Sequence, residues 1–141
     1  MSAASNLGPT FASSSLLVAA GGAAGAWLRY LTGRVWLAAI GPVRASAFPW
    51  ATLTANVLGS LLMGVLVGWL ARHGSSAAEQ WRLLLGVGVL GGYTTFSSFA
   101  LEFALLVERG AMAMAALYVG LSLAAGFLAL FAGLYLAKVA A

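Results

Sequence analysis

The sequence has no cysteine, so disulfides, thiolate metal sites and thiol catalysis are excluded, although the compartment is left open. Charge is nearly as scarce: seven Lys or Arg and three acids in 141 residues, against 62% hydrophobic residues. With a mean hydropathy of +0.99, this composition describes one membrane domain and not a water-surrounded core. The basic residues form no cluster, which argues against a nucleic-acid partner. No lysine or arginine precedes the first apolar stretch. Residues 1–11 therefore read as a short mobile tail and not as a cleaved secretory signal, leaving 12–141 as a single four-helix membrane domain.

Crossing a hydrocarbon core takes about 20 helical residues. Four stretches meet that length, at 11–36, 50–71, 79–109 and 111–138. Gly41-Pro42 and Phe48-Pro49 bracket the first loop, Arg72-His73-Gly74-Ser75 closes the second span, and Arg109-Gly110 allows only a tight antiparallel reversal. Ser76-Ala-Ala-Glu79 matches a capping box, which starts the third helix near Ala77. Trp36, Trp50, Trp69 and Trp81 fall near span ends, where indoles settle at headgroups. His73, in a loop, is assigned no role. The two sides of the membrane receive equal charge: Arg34, Arg44 and Arg109 on one, Arg72, Arg82 and Lys138 on the other. Arg29 breaks the tie only if it is counted with the first loop. A chain with so little bias carries no strong insertion instruction. Either another influence fixes one topology, or both are made and pair antiparallel.

Small and polar residues recur at i, i+4 spacing: Gly21, Gly25 and Arg29; Thr52, Asn56, Ser60, Gly64 and Gly68; Tyr118, Ser122 and Gly126. Most of these glycines need no explanation beyond helix packing. Asn56 does, because a carboxamide two turns into a membrane helix must bond to protein, water or a ligand. Arg29 either snorkels to the headgroups or lines an anion entrance. Glu102 is the one acid well inside a span, a candidate proton-relay or cation site unless it only bonds Ser98 locally. Gly86-Val-Gly88-Val-Leu-Gly91 satisfies a dinucleotide-binding pattern, but no βαβ unit surrounds it, so it is discarded.

The stretch GGYTTFSSF at 91–99 interrupts the third span with residues that disfavour a helix interior. A break over 91–95 frees carbonyls near Gly91 to Thr94, suited to a small cation. It also starts a half-helix near Phe96 whose N–H groups suit an anion. Phe96, Phe99 and Phe103 then share a helical face beside Ser97 and Ser98, and aromatic ring edges are electropositive. Together with LTANVLGS at 53–60, GAWLRY at 25–30 and Glu102, this segment resembles the Fluc family of small fluoride channels, the CrcB-type proteins, from about Gly21 through the fourth helix.

The resemblance implies an all-α, dual-topology antiparallel homodimer in the membrane lipid, of the bacterial inner membrane, with two fluoride pores. A structural sodium ion at the dimer centre would be held by the backbone carbonyls of Gly91 and Thr94. It further implies Phe96 and Phe99 facing the pores, a polar track of Ser97 and Ser98, Asn56 as a donor, Tyr118 and Ser122 on the fourth helix, and Arg29 as a vestibule candidate. Many members carry a hydroxyl where this chain has Ala100, so its track is one donor shorter. Passive export of cytoplasmic fluoride follows as the expected function.

Two rival readings remain at this level. Glu102 would suit a proton-coupled dual-topology transporter, although such proteins place their essential carboxylate in the first helix, where this chain has none. A non-transporting assembly subunit would explain the glycines but leave Asn56 and the 91–99 interruption without purpose. Catalysis is disfavoured, because no nucleophile–base pair or metal-ligand cluster is visible.

Overall fold

The computed structural model describes residues 10–73 and 76–140, apart from the side chain of Ser76. Every regular element among them is helical: α1 Phe11–Ala47, α2 Trp50–Leu70, α3 Ser76–Trp81, a π-helical stretch Arg82–Leu90, α4 Gly91–Tyr93, α5 Phe96–Glu108 and α6 Met112–Val139. They compose four stretches long and apolar enough to cross a membrane, the third being Ala77–Glu108. The N-terminal tail up to residue 9, and Gly74-Ser75 of the second loop, lie outside the described residues.

Thr10 caps α1, its hydroxyl accepting from the Ser13 N–H at 3.3 Å. The helix does not stop at Trp36. Apolar residues carry it on to Gly41, whose φ of 76° and ψ of 166° kink the chain in a conformation that favours glycine. Pro42 then opens a further helical stretch, as proline does well at a first helical position. The expected first loop thus shrinks to Phe48-Pro49. Trp36 lies within the helix, donating from Nε1 to the Thr54 hydroxyl at 3.0 Å and stacking on Trp50 with centroids 5.6 Å apart.

Two glycine contacts assemble the bundle. A Cβ on Gly64 of α2 would collide with the Leu130 carbonyl of α6, and one on Gly133 with the Leu61 carbonyl. Gly21 and Gly25 of α1 lie equally close to Leu84, Gly88 and Val89 on the third span. Such backbone approach is how helices associate where lipid removes the hydrophobic drive. In the π-helical stretch the Gly91 N–H reaches back to the Gly86 carbonyl, five residues earlier.

Within the third span, helical φ/ψ values are lost only at Thr94 (φ −82°, ψ 159°) and Thr95 (φ −155°, ψ 126°). This is narrower than residues 91–95, because Gly91 and Gly92 belong to α4. Gly92 instead answers a packing need, since a Cβ there would meet the backbone of Gly22 in α1. At the start of the span, the Ser76 half of the expected capping box lies outside the described residues. Glu79 is engaged by Arg82, at 2.7 and 2.8 Å. The last reversal is a Schellman turn: Gly110, at φ 73°, donates to Val107 and Ala111 to Leu106, both at 2.9 Å. It brings α6 back along α5 and closes a small core of Phe48, Leu106, Ala115 and Tyr118.

Candidate functional site

Asn56 reaches from α2 to the two-residue gap between α4 and α5. Its Oδ1 accepts the Thr95 N–H at 2.8 Å and its Nδ2 donates to the Thr95 carbonyl at 3.0 Å. One carboxamide thereby satisfies both backbone groups of an extended residue, which apolar surroundings would otherwise penalise. The second N–H of Nδ2 remains. Asn56 also lines a cavity of about 310 Å³ with Ser60, Thr94, Thr95 and Phe96. The Thr95 hydroxyl caps α5, accepting from the Ser98 N–H and donating to the Ser98 hydroxyl, both at 3.2 Å. It is also 3.2 Å from the Ser97 hydroxyl. Ser97 and Ser98 are therefore linked through Thr95, a residue that shows in the sequence only as part of the 91–95 interruption.

These bonds have a consequence for the neighbouring carbonyls. In an uninterrupted helix the Thr95 N–H would serve Gly91 and the Ser98 N–H would serve Thr94. Both donors go elsewhere, to Asn56 and to the Thr95 hydroxyl. Gly91 and Thr94 are the two carbonyls that the resemblance assigns to sodium. Hard carbonyl oxygens short of a donor fit a small alkali cation.

A second polar group lies along the same face of α5. Glu102 accepts from the Thr52 hydroxyl at 2.7 Å on Oε1 and from the Tyr118 hydroxyl at 2.6 Å on Oε2. Both carboxylate oxygens are thus bonded across helices, whereas Ser98 turns to Thr95. Thr52 was visible beforehand only as a member of the α2 polar stripe; its partner could not be read without the packing of α2 on α5.

Phe99 is half-buried between Phe96 and Tyr118, with centroids at 5.7 and 5.1 Å. Tyr118 is fully buried at 0%, while Phe96 stands 79% exposed on the surface of the single chain. The Ser122 hydroxyl oxygen is buried and has no hydrogen-bond partner among the described residues. Buried polar atoms are so regularly bonded that this one calls for a ligand or water. Arg29 lies one helical turn beyond Gly25 on α1 and makes no hydrogen bond or ion pair among the described residues. Asn56, Ser97 and Ser98 are joined through Thr95, Phe96, Phe99 and Tyr118 form a chain of ring contacts, and Phe96 shares the cavity with Asn56 and Thr95. Ser122 sits one α6 turn from Tyr118, and Arg29 makes none of these contacts.

A family profile described as CrcB-like protein, Camphor Resistance (CrcB), matches residues 16–134. A protein from Novosphingobium aromaticivorans named fluoride-specific ion channel FluC is 58% identical over 117 residues, covering 83% of this chain and 90% of that protein. One from Erythrobacter litoralis with the same name is 53% identical over 135 residues, 96% of this chain and 98% of its own. A third, from Phenylobacterium zucineum, is 54% identical over 123 residues, covering 87% and 94%.

Proposed function

This chain belongs to the CrcB-like family, and from that premise we propose that it is a fluoride-selective channel for passive export of cytoplasmic fluoride across the membrane. It is a multi-pass membrane protein with relatives named as bacterial fluoride channels. The observation that carries the reading within the chain is the donor set gathered at the interrupted third span. Asn56, the hydroxyls of Thr95, Ser97 and Ser98, and the ring edges of Phe96 and Phe99 lie together there. Fluoride is small and tightly hydrated, so a pore must replace its water with close donors of this kind. The unpartnered Ser122 hydroxyl supplies one further donor on α6.

Several finer assignments belong to the same proposal. The functional chain is an antiparallel dual-topology homodimer, for which the equal division of basic residues and the exposed Phe96 argue. The interruption at Thr94-Thr95 is the device that exposes backbone at membrane depth. Gly91 and Thr94 carbonyls hold a structural sodium, which supplies positive charge when bound; Asn56 and Thr95 free those carbonyls by taking their donors. Arg29 is an entrance charge, and the bacterial inner membrane is the site of action.

The driving force is electrical. Hydrogen fluoride enters as a neutral acid and ionises in the less acidic cytoplasm. The anion then leaves down a membrane potential worth about 2.3 kcal/mol per charge for each 100 mV. Glu102 is bonded on both oxygens by Thr52 and Tyr118, which suits a fixed polar contact better than a proton carrier.

The test is efflux from liposomes holding the purified protein, followed with fluoride- and chloride-selective electrodes. Fluoride should leave under a potassium-diffusion potential with no pH gradient, and chloride should stay. Fluoride efflux that stops when a pH gradient is collapsed under maintained potential would replace the channel with a proton-coupled transporter.

A further inference from the structure

The face of α5 that carries Phe99 and Glu102 continues through Leu106 to Arg109 at the end of the helix. Beyond the Glu102 carboxylate it lines a separate cavity of about 200 Å³, walled by Ser46 at the end of α1, by Pro49, and by Leu106 and Arg109. The cavity thus has an acid at one place and a guanidinium at another. The acid is already tied to Tyr118, which touches Phe99.

Arg109 is held in position by a single bond, Nη1 donating to the Ser46 carbonyl at 3.1 Å. Guanidinium carries five N–H donors, and among the described residues the others have no protein acceptor. The ion pair that the described residues form is elsewhere, between Glu79 and Arg82. Glu108 and Arg44, though near in sequence, do not line the cavity. A carboxylate beside an exit repels any anion that passes. A partly unpartnered cation at the same opening offsets that field and raises the local anion concentration.

Resting on the channel reading above, we propose that this cavity is one mouth of the fluoride route and that Arg109 is its anion-collecting charge. The Ser46 carbonyl holds that charge over the opening. The kink at Gly41 and the helical turn after Pro42 acquire a purpose, since they bring Ser46 across to the end of α5.

The absence of cysteine makes a charge series possible at one position. Arg109→Cys introduces the sole thiol, which is modified in detergent with a cationic or an anionic methanethiosulfonate of similar size before reconstitution, with labelling checked by mass. Fluoride efflux at low ionic strength should be highest with the cationic adduct and lowest with the anionic one. Their ratio should be roughly tenfold, the lower end of electrostatic steering. It should shrink towards one in concentrated non-permeant salt, which screens exposed charge. Equal effects of the two adducts, or a ratio indifferent to salt, would assign Arg109 to a purely structural tether and overturn the proposal. Because the adducts share one polypeptide, misfolding cannot create a charge-ordered result. A flat series in a protein whose parent conducts fluoride removes the mouth alone; a parent that passes no fluoride removes the channel reading and the mouth with it.

Discussion

Asn56 holds the backbone of Thr95 at both ends, accepting its N–H at 2.8 Å and donating to its carbonyl at 3.0 Å. The side chain is therefore more than a donor waiting for an ion: it stabilises the extended residue that separates α4 from α5. Asn56→Asp keeps the acceptor but loses the donor, leaving the Thr95 carbonyl unsatisfied at a cost of about 1–3 kcal/mol. It also sets a negative charge where fluoride would approach. We expect efflux to fall by at least about tenfold, the equivalent of roughly 1.4 kcal/mol on the barrier, with a lower melting temperature. Efflux within twofold of the parent at matched protein density would separate Asn56 from the pore.

The glycine contacts make a prediction about stability alone. A Cβ on Gly64 would strike the Leu130 backbone, whereas one on Gly120 would meet nothing within 4 Å. Gly64→Ala should destabilise by about 1–3 kcal/mol, as overpacking does, and Gly120→Ala should be neutral or slightly stabilising through helix propensity. Thermal unfolding in detergent, followed by loss of the monodisperse chromatographic peak, compares the two. Equal behaviour would mean that α2 and α6 are not held by backbone approach at Gly64.

Much of the fold was legible because membrane crossing imposes length and apolarity on a helix, and that requirement is written locally. The second span was read to within a residue, and the Arg109-Gly110 reversal fell where glycine permits φ 73°. The sequence places the end of the first span too early because Gly41-Pro42 has the composition of a loop. In the structure those residues kink a helix that resumes at once, and nothing local distinguishes the two. The hydroxyls and Asn56 were recognisable as misplaced in lipid. Their partners were not, since Asn56 with Thr95 and Thr52 with Glu102 are pairings 39 and 50 residues apart. Thr95 shows in the sequence only as part of the 91–95 interruption, because its bonds to Asn56 and Ser98 depend on the packing of α2 and the start of α5.

The distribution of basic residues bears on insertion. With Arg34, Arg44 and Arg109 against Arg72, Arg82 and Lys138, neither side is favoured. A reporter fused to the C-terminus should be found on both sides of the membrane, and two or three arginines added to the second loop should drive it to one. A single location in the unaltered protein contradicts dual topology.

The cation assignment rests on backbone, so sodium removal has a distinct signature. No acid lies in residues 80–101, and the Glu102 oxygens are bonded to Thr52 and Tyr118. Replacing sodium with a large organic cation should weaken the dimer or its flux. Glu102→Gln should leave that sodium dependence in place. A dependence abolished by Glu102→Gln would move the cation to the carboxylate.

The phenylalanines permit the sharpest separation of packing from ion contact, because the structure gives them different surroundings. Phe99 packs against Tyr118 at 5.1 Å and borders the buried core, while Phe96 is 79% exposed and Phe103 39% exposed. Leucine retains most of the apolar volume and removes the ring edge. Phe99→Leu should therefore lose both flux and some stability, with the packing loss below about 1.5 kcal/mol. Phe96→Leu has little to lose in the fold of one chain, so a large fall in flux with an unchanged melting temperature would report the ring's contact with the ion. Phe103→Leu lies one turn farther along and should be the mildest in flux. The decisive measurement is efflux against melting temperature for all three at confirmed equal reconstitution. If flux tracks stability across the series, the stripe is core and the rings do not meet fluoride. If Phe96→Leu falls off that line, an exposed ring is carrying function that packing does not explain.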